Sequence, residues 1–232
     1  MNWYKDSLLC LNEAEEIIQQ IEELEKNSIH DIELLERCKP KIKNCLENCR
    51  SPLDYISNYL FDTYCKENYT FKQLKNIKHN YPISYKKHKL HNNLHANFIG
   101  LNDTRHDIVK EIEKSQPFKD NEQWLSQLTF LVNENKHAKL TFNTSEKSIN
   151  IKSLEFGGAK FTNITMTNVG VPIRIGNQDY DLINTFPPGS INQDITAKNK
   201  LSFEELKLPV IETLKQIYKG VSDTINSIEE TL

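Results

Sequence analysis

Two short polar clusters carry side chains that could hold a phosphate or act on one. The first is Asn48-Cys49-Arg50-Ser51-Pro52-Leu53-Asp54-Tyr55. Arg50 and Asp54 are four residues apart, so on a helix they share a face. There they form an ion pair, or present a cation to a phosphate. Ser51-Pro52 complicates the segment. Ser-x-x-Asp with Pro at the first helical position is also a helix-start signature, and a break or kink is expected at this point. The second cluster is Lys136-His137, at the end of Leu128-Thr129-Phe130-Leu131-Val132-Asn133-Glu134-Asn135. Cations at a helix C-terminus complement its dipole, and a histidine there can also serve as general acid or base. The pattern His88-x-x-His91-x-x-x-His95 has tolerable metal-ligand spacing. With no Asp or Glu between Tyr69 and Asn102, it reads as a solvated polar loop. Phosphate-loop, HExxH, GxSxG and GxGxxG patterns are missing, so neither a metal nor a cofactor is expected.

Residues 66–91 hold seven lysines against one acid, Glu67. Lys72, Lys75, Lys78, Lys86, Lys87 and Lys89 are interleaved there with Tyr69, Phe71, Tyr81 and Tyr85. Such a mixture suits RNA or single-stranded DNA. The chain has 25 Lys to 4 Arg, however, a bias that scatters lysine over any solvated loop. The formal net charge of −3 predicts no global attraction to nucleic acid or to a membrane surface.

A chain of 232 residues can bury a sizeable core as one large domain or two small ones. Apolar residues make up 38% and charged residues 26%, which excludes both a disordered chain and a membrane protein. No signal-peptide pattern opens the sequence, so a cytoplasmic location is expected. The cysteines number five, and Cys45 and Cys49 occupy apolar-stripe positions. They are expected as buried, reduced thiols.

Helices must position these clusters. Residues 7–36 read as one long helix, from Leu11, Ala14, Ile18, Ile21 and Leu24 to Ile32 and Leu35. The stripe Ile42, Cys45, Cys49, Leu53, Ile56, Leu60 predicts an antiparallel partner. Residues 66–102 read as an irregular basic connection with one short helix, followed by helices over 104–115 and 121–135. The texture then turns to alternating strands at 139–142, 148–151, 160–167, 171–175 and 179–183, with turns at Gly157-Gly158 and Gly176-Asn177. A last helix is expected over 203–231, with Pro209 near its start. The predicted architecture is α+β: an antiparallel long-helix bundle over 1–138, an antiparallel β insert over 139–200, and a C-terminal helix over 201–232 packing back on the bundle.

In this order the segments resemble a widespread bacterial family. Its helix motif Asn-x-Arg-Ser-x-Leu-Asp-His is matched by Asn48, Arg50, Ser51, Leu53 and Asp54. Its Phe-Pro-Ile is matched by Tyr81-Pro82-Ile83, and its Ile-x-x-x-Gln-Pro-Tyr by Ile112, Gln116, Pro117 and Phe118. Its Leu-x-x-Leu-x-x-Leu-x-x-x-Asp-Lys-His-Arg is matched by Trp124 or Leu125, Leu128, Leu131, Lys136 and His137, with Asn135 in place of Asp and Ala138 in place of Arg. The family's Arg-x4-His resembles the signature of HEPN-like helical domains. Many of those are metal-independent ribonucleases of phage defence and toxin–antitoxin systems, with Arg and His in a paired-helix cleft often completed by a dimer. Here Tyr55 stands where the histidine would be. The resemblance therefore implies a HEPN-like bundle acting as a degenerate, non-catalytic interaction module toward RNA, a protein partner or a second copy. The alternative is a metal-independent ribonuclease in which Arg50, Asp54, Lys136 and His137 converge, with His137 as acid or base.

Overall fold

The computed structural model describes residues 2–28, 32–75, 77, 79–119, 123–137, 142–167, 173–175, 177–180, 182 and 185–232. They form a mixed helix-and-strand protein that divides into two compact units: a helical unit of residues 1–21, 39–140 and 211–232, and a sheet unit of residues 22–38 and 141–210. Among the described residues, no helix is long and apolar enough to cross a membrane.

Three long helices build the helical unit. The apolar stripe of α1 (Trp3–Asn27) buries Leu11, Ala14, Ile18 and Ile21. The stripe of α2 (Cys38–Leu60) buries Ile42, Cys45, Cys49, Leu53, Ile56 and Leu60. Their contacts run in opposite chain directions: Lys41 with Gln20, Cys45 Sγ with the Ala14 carbonyl, Tyr59 with Trp3. The pair is thus antiparallel. The C-terminal helix α8 (Val210–Thr231) also runs antiparallel to α1, through Tyr218 with Glu15 and Asn226 with Tyr4. The expected break at Ser51-Pro52 is absent. Pro52 lies inside α2, where the flanking buried stripe outweighs one lost backbone hydrogen bond. Past Leu60 the helix widens into a single π-turn, Phe61–Cys65. Cys38, Cys45, Cys49 and Cys65 are buried and form no disulfide.

The connection over 66–102 holds more helix than expected. It contains α3 (Phe71–Leu74), α4 (Lys87–Asn97) and α5 (Leu101–Thr104). Only Leu90 and Leu94 of α4 are buried, too sparse a stripe to stand out among Lys, His and Asn. Two further helices, α6 (His106–Lys114) and α7 (Trp124–His137), complete the unit. α6 meets α8 through Glu111 and Ser227. α7 meets α8 where Trp124 lies on Gly220, so closely that a Cβ there would fall 2.3 Å from the indole.

In the sheet unit, the strands β1 (Phe142–Phe156), β2 (Ala159–Thr167), β3 (Ile173–Ile175), β4 (Gln178–Tyr180), β5 (Ile191–Phe203) and β6 (Leu208–Pro209) form a four-stranded sheet of order β2-β1-β5-β6 and a separate β3-β4 pair. Gly157 and Gly158, both at positive φ, make the tight β1–β2 hairpin. Register shifts around Ser153 let Ile149, Ile151 and Leu154 enter one buried cluster with Tyr180 and Leu182, although strict alternation would send Leu154 to the other face.

Several boundaries differ from expectation. The predicted strand at 148–151 and Phe142, the last residue of the one predicted at 139–142, belong to one long β1 whose middle is polar; residues 139–141 lie outside the described residues. β5 was not expected, because Asn192-Gln193-Asp194 and Ala197-Lys198-Asn199-Lys200 hide its alternation. The β insert does not stop at residue 200, since β5 pairs with β1 as far as Phe203 opposite Phe142. Helix α8 accordingly starts at Val210, after Pro209, rather than at 201–203. Residues 22–38, with 22–36 expected in the first helix of the bundle, group with the strands. α1 ends at Asn27, and a short 3-10 turn lies at Ile32–Leu35. The Glu25 carboxylate accepts from the Leu201 N–H, and Ser28 Oγ from Asn199.

Candidate functional site

Arg50 and Asp54 share a face of α2, one turn apart, and form a two-point pair. Nε donates to Oδ2 at 3.2 Å and Nη2 to Oδ1 at 2.9 Å. The Arg50 side chain is only 14% exposed and that of Asp54 35%. Asp54 Oδ1 also accepts from the Tyr81 backbone N–H at 3.4 Å. Arg50 Nη1 has no acceptor among the described residues. A guanidinium fixed this way keeps its direction and has one nitrogen left for a further partner.

The Tyr81 contact belongs to a strap of irregular backbone, residues 79–84, that crosses beside α2. Irregular backbone lacks a ladder to satisfy its polar groups, so side chains must do it. Gln116, fully buried, accepts from the Ser84 N–H at 2.9 Å and donates to the Pro82 carbonyl at 3.0 Å. Ser115 Oγ lies 2.8 Å from the buried Tyr81 hydroxyl. Burial pushes the Tyr81 phenol well above its ordinary pKa, with Ser115 and the Arg50 charge pulling back only in part. The other end is held by His79, stacked on Phe61 of the π-turn with ring centres 3.7 Å apart. The Tyr81-Pro82-Ile83 and Gln116-Pro117 motifs are thus two halves of one joint.

Between α2, the strap, α4 and α7 lies an open cleft of about 480 Å³. Arg50 and Asp54 line it with Asn80, Tyr81, Pro82 and Ile83 of the strap, Asn93 and Asn97 of α4, and Thr129, Val132 and Asn133 of α7. Asn97 Nδ2 donates to Asn93 Oδ1 at 3.0 Å. Among the described residues the wall is therefore rich in carboxamides and carries one oriented cation.

Of the expected site residues, Arg50 and Asp54 open onto this cleft. Lys136 and His137 form the last residues of α7, with the His137 backbone one turn beyond Asn133; their side chains lie outside the described residues. Among the basic residues, Lys72 and Lys75 are exposed at α3, where Lys75 Nζ sits 4.8 Å above the Phe71 ring. Lys86, Lys87 and Lys89 are exposed at the start of α4, and Lys87 pairs with Glu113 at 3.1 Å. Lys78 lies outside the described residues. His91 also pairs with Glu113, at 3.0 Å, while His88 and His95 are exposed. Among the described residues no three His, Cys, Asp or Glu side chains are grouped to hold a metal. Tyr55 does not line the cleft. It faces Cys10 and Asp6 of α1, whose charges, with the Cys10 hydrogen bond and burial, raise its pKa.

Sequence reasoning missed the carboxamides. Asn93 and Asn97 have i, i+4 spacing, but that signal is readable only once the segment is known to be helical. The chain matches no model of a known protein family, no curated protein and no solved structure.

Proposed function

We propose that the chain is a HEPN-like helical module that binds single-stranded RNA at the Arg50–Asp54 cleft without cleaving it. The observation that carries this reading is the fixed guanidinium. Asp54 holds Nε and Nη2 and leaves Nη1 to meet a phosphate in an open, amide-walled cleft. Hydrolysis needs a group that takes a proton and one that gives it. Of the ionisable groups among the described lining residues, Asp54 is engaged by Arg50 and the strap, and Tyr81 is bonded to Ser115. Neither is placed for that work. The chain's net charge of −3 makes the attraction local, so affinity should fall with salt by the small slope of one or two phosphate contacts.

The test is fluorescence anisotropy with a labelled single-stranded RNA octamer, with gel analysis of the same samples for product. Loss of a charged hydrogen bond of roughly 1.5–3 kcal/mol should weaken binding by the Arg50→Ala protein about tenfold or more, with intact RNA throughout. Arg50→Gln guards against a folding defect. Equal affinity of wild type and both variants would refute binding at this cleft. The hydrolytic alternative draws on the position of His137 one turn beyond Asn133, and wild-type cleavage that His137→Ala abolishes would establish it instead.

A further inference from the structure

We infer that the cleft takes one unstacked nucleobase of the bound strand and reads its hydrogen-bonding edge with Asn93 and Asn97. This inference rests on the RNA reading of the cleft. The two side chains stand one turn apart on α4, joined by a single amide–amide hydrogen bond of 3.0 Å. A pair joined that way leaves the Asn93 amine and the Asn97 carbonyl without partners among the described residues. They form a composite edge, one donor beside one acceptor. Nucleobases present donors and acceptors side by side at that same scale, and asparagine amides pair with them in two-point fashion. Sequence recognition in RNA runs through bases splayed out of the stack, whose edges are free to be read this way.

The rest of the cleft fits a base and its phosphate. Leu90 and Leu94, buried at i, i+3 spacing before Asn93 and Asn97 on the adjoining face of α4, fix the helix that carries the pair. Pro82, Ile83 and Val132 supply apolar lining for the flat faces of a base, and Arg50 supplies the cation. The volume of about 480 Å³ suits one small ligand rather than a stack of several. Just beyond Ile83, Tyr85 is 64% exposed and is followed by exposed Lys86. An exposed aromatic ring beside a lysine is a platform on which a neighbouring base can stack. Sequence preference thus comes from α4, while Arg50 and Tyr85 hold any sequence.

The experiment compares labelled hexamers of adenylate, uridylate and cytidylate by anisotropy. Wild type should favour one of them by about tenfold or more, the discrimination of one good two-point contact. Asn93→Leu and Asn97→Leu should each level the three to within about twofold. Asn97→Asp, which keeps the shape of the side chain, should also abolish the preference and serves if a leucine variant does not fold. Equal affinities in wild type, or a preference retained in all three variants, would overturn base reading and leave RNA binding intact. Failure of wild type to bind any hexamer would remove both.

Discussion

The two units satisfy their backbones by different means. In the sheet unit the long strands do it themselves, through ladders that run from Phe142–Phe203 to Phe156–Ala159 with register shifts along the way. Side chains there chiefly alternate between a cluster around Ile151 and the surface. The strap of the helical unit has no such partner strand. Its backbone groups are met one by one by Asp54 and Gln116, and its side chains by Ser115 and Phe61. The polar residues that look catalytic in the sequence are therefore partly anchors. A cleft exists beside the strap because irregular backbone cannot close against α2 as tightly as a packed helix would.

The sharpest way to break this comparison is to remove one anchor and one sheet core residue. Gln116→Ala strands the Ser84 N–H and the Pro82 carbonyl in a buried place. At roughly 1–3 kcal/mol for each of the two orphaned groups, the loss should be about 2–6 kcal/mol by denaturant titration, and RNA binding should weaken with it. Ile151→Ala removes a buried side chain of the sheet cluster and should cost about 2–4 kcal/mol, yet leave RNA affinity unchanged. If both variants weaken binding alike, the site does not depend on the strap in the way described.

A smaller effect tests the strap's other end. His79 Nε2 is buried and has no hydrogen-bond partner among the described residues. Burial is the main cause that lowers its pKa, Lys66 adds to it, and Asp62 pulls the other way. The unfolded chain then takes up this proton more readily than the folded one. The contribution is fully present above the ordinary histidine value of about 6.5 and is lost as pH falls through it toward the lower folded value. His79→Phe keeps a ring on Phe61 and removes the titration. The melting-temperature difference between wild type and this variant should be flat above pH 7 and shift in favour of the variant between pH 6.5 and 5. A difference that does not change with pH would mean that His79 titrates as it does in the unfolded chain.

How much of this was legible depended on period. The stripes of α1, α2 and α8 are strong enough to give both the helices and the antiparallel pairing of α1 with α2. The Arg50–Asp54 pair followed from i, i+4 spacing alone. α4 was hidden because Leu90 and Leu94 are its only buried residues, and with it went Asn93 and Asn97. β5 was hidden because asparagine, lysine and glutamine fill positions whose pairing is decided by the ladder, not by burial. The joint between Pro82 and Gln116 could not be read at all. It spans 34 residues, and only tertiary structure brings its halves together.

The smallest expected effect bears on the position that separates this chain from the nuclease pattern. Tyr55 follows Arg50 by five residues, about 140° further round α2 at 3.6 residues per turn. That rotation aims it at Cys10 and Asp6 on α1, away from the cleft that Arg50 lines. Restoring the histidine with Tyr55→His should therefore leave RNA uncleaved in the gel assay and alter stability by less than about 1 kcal/mol, as expected for a half-buried site with no anchoring role. RNA affinity should stay at the wild-type value. Cleavage by the Tyr55→His protein would mean that α2 presents both faces to the substrate, and that the missing histidine alone separates binding from catalysis.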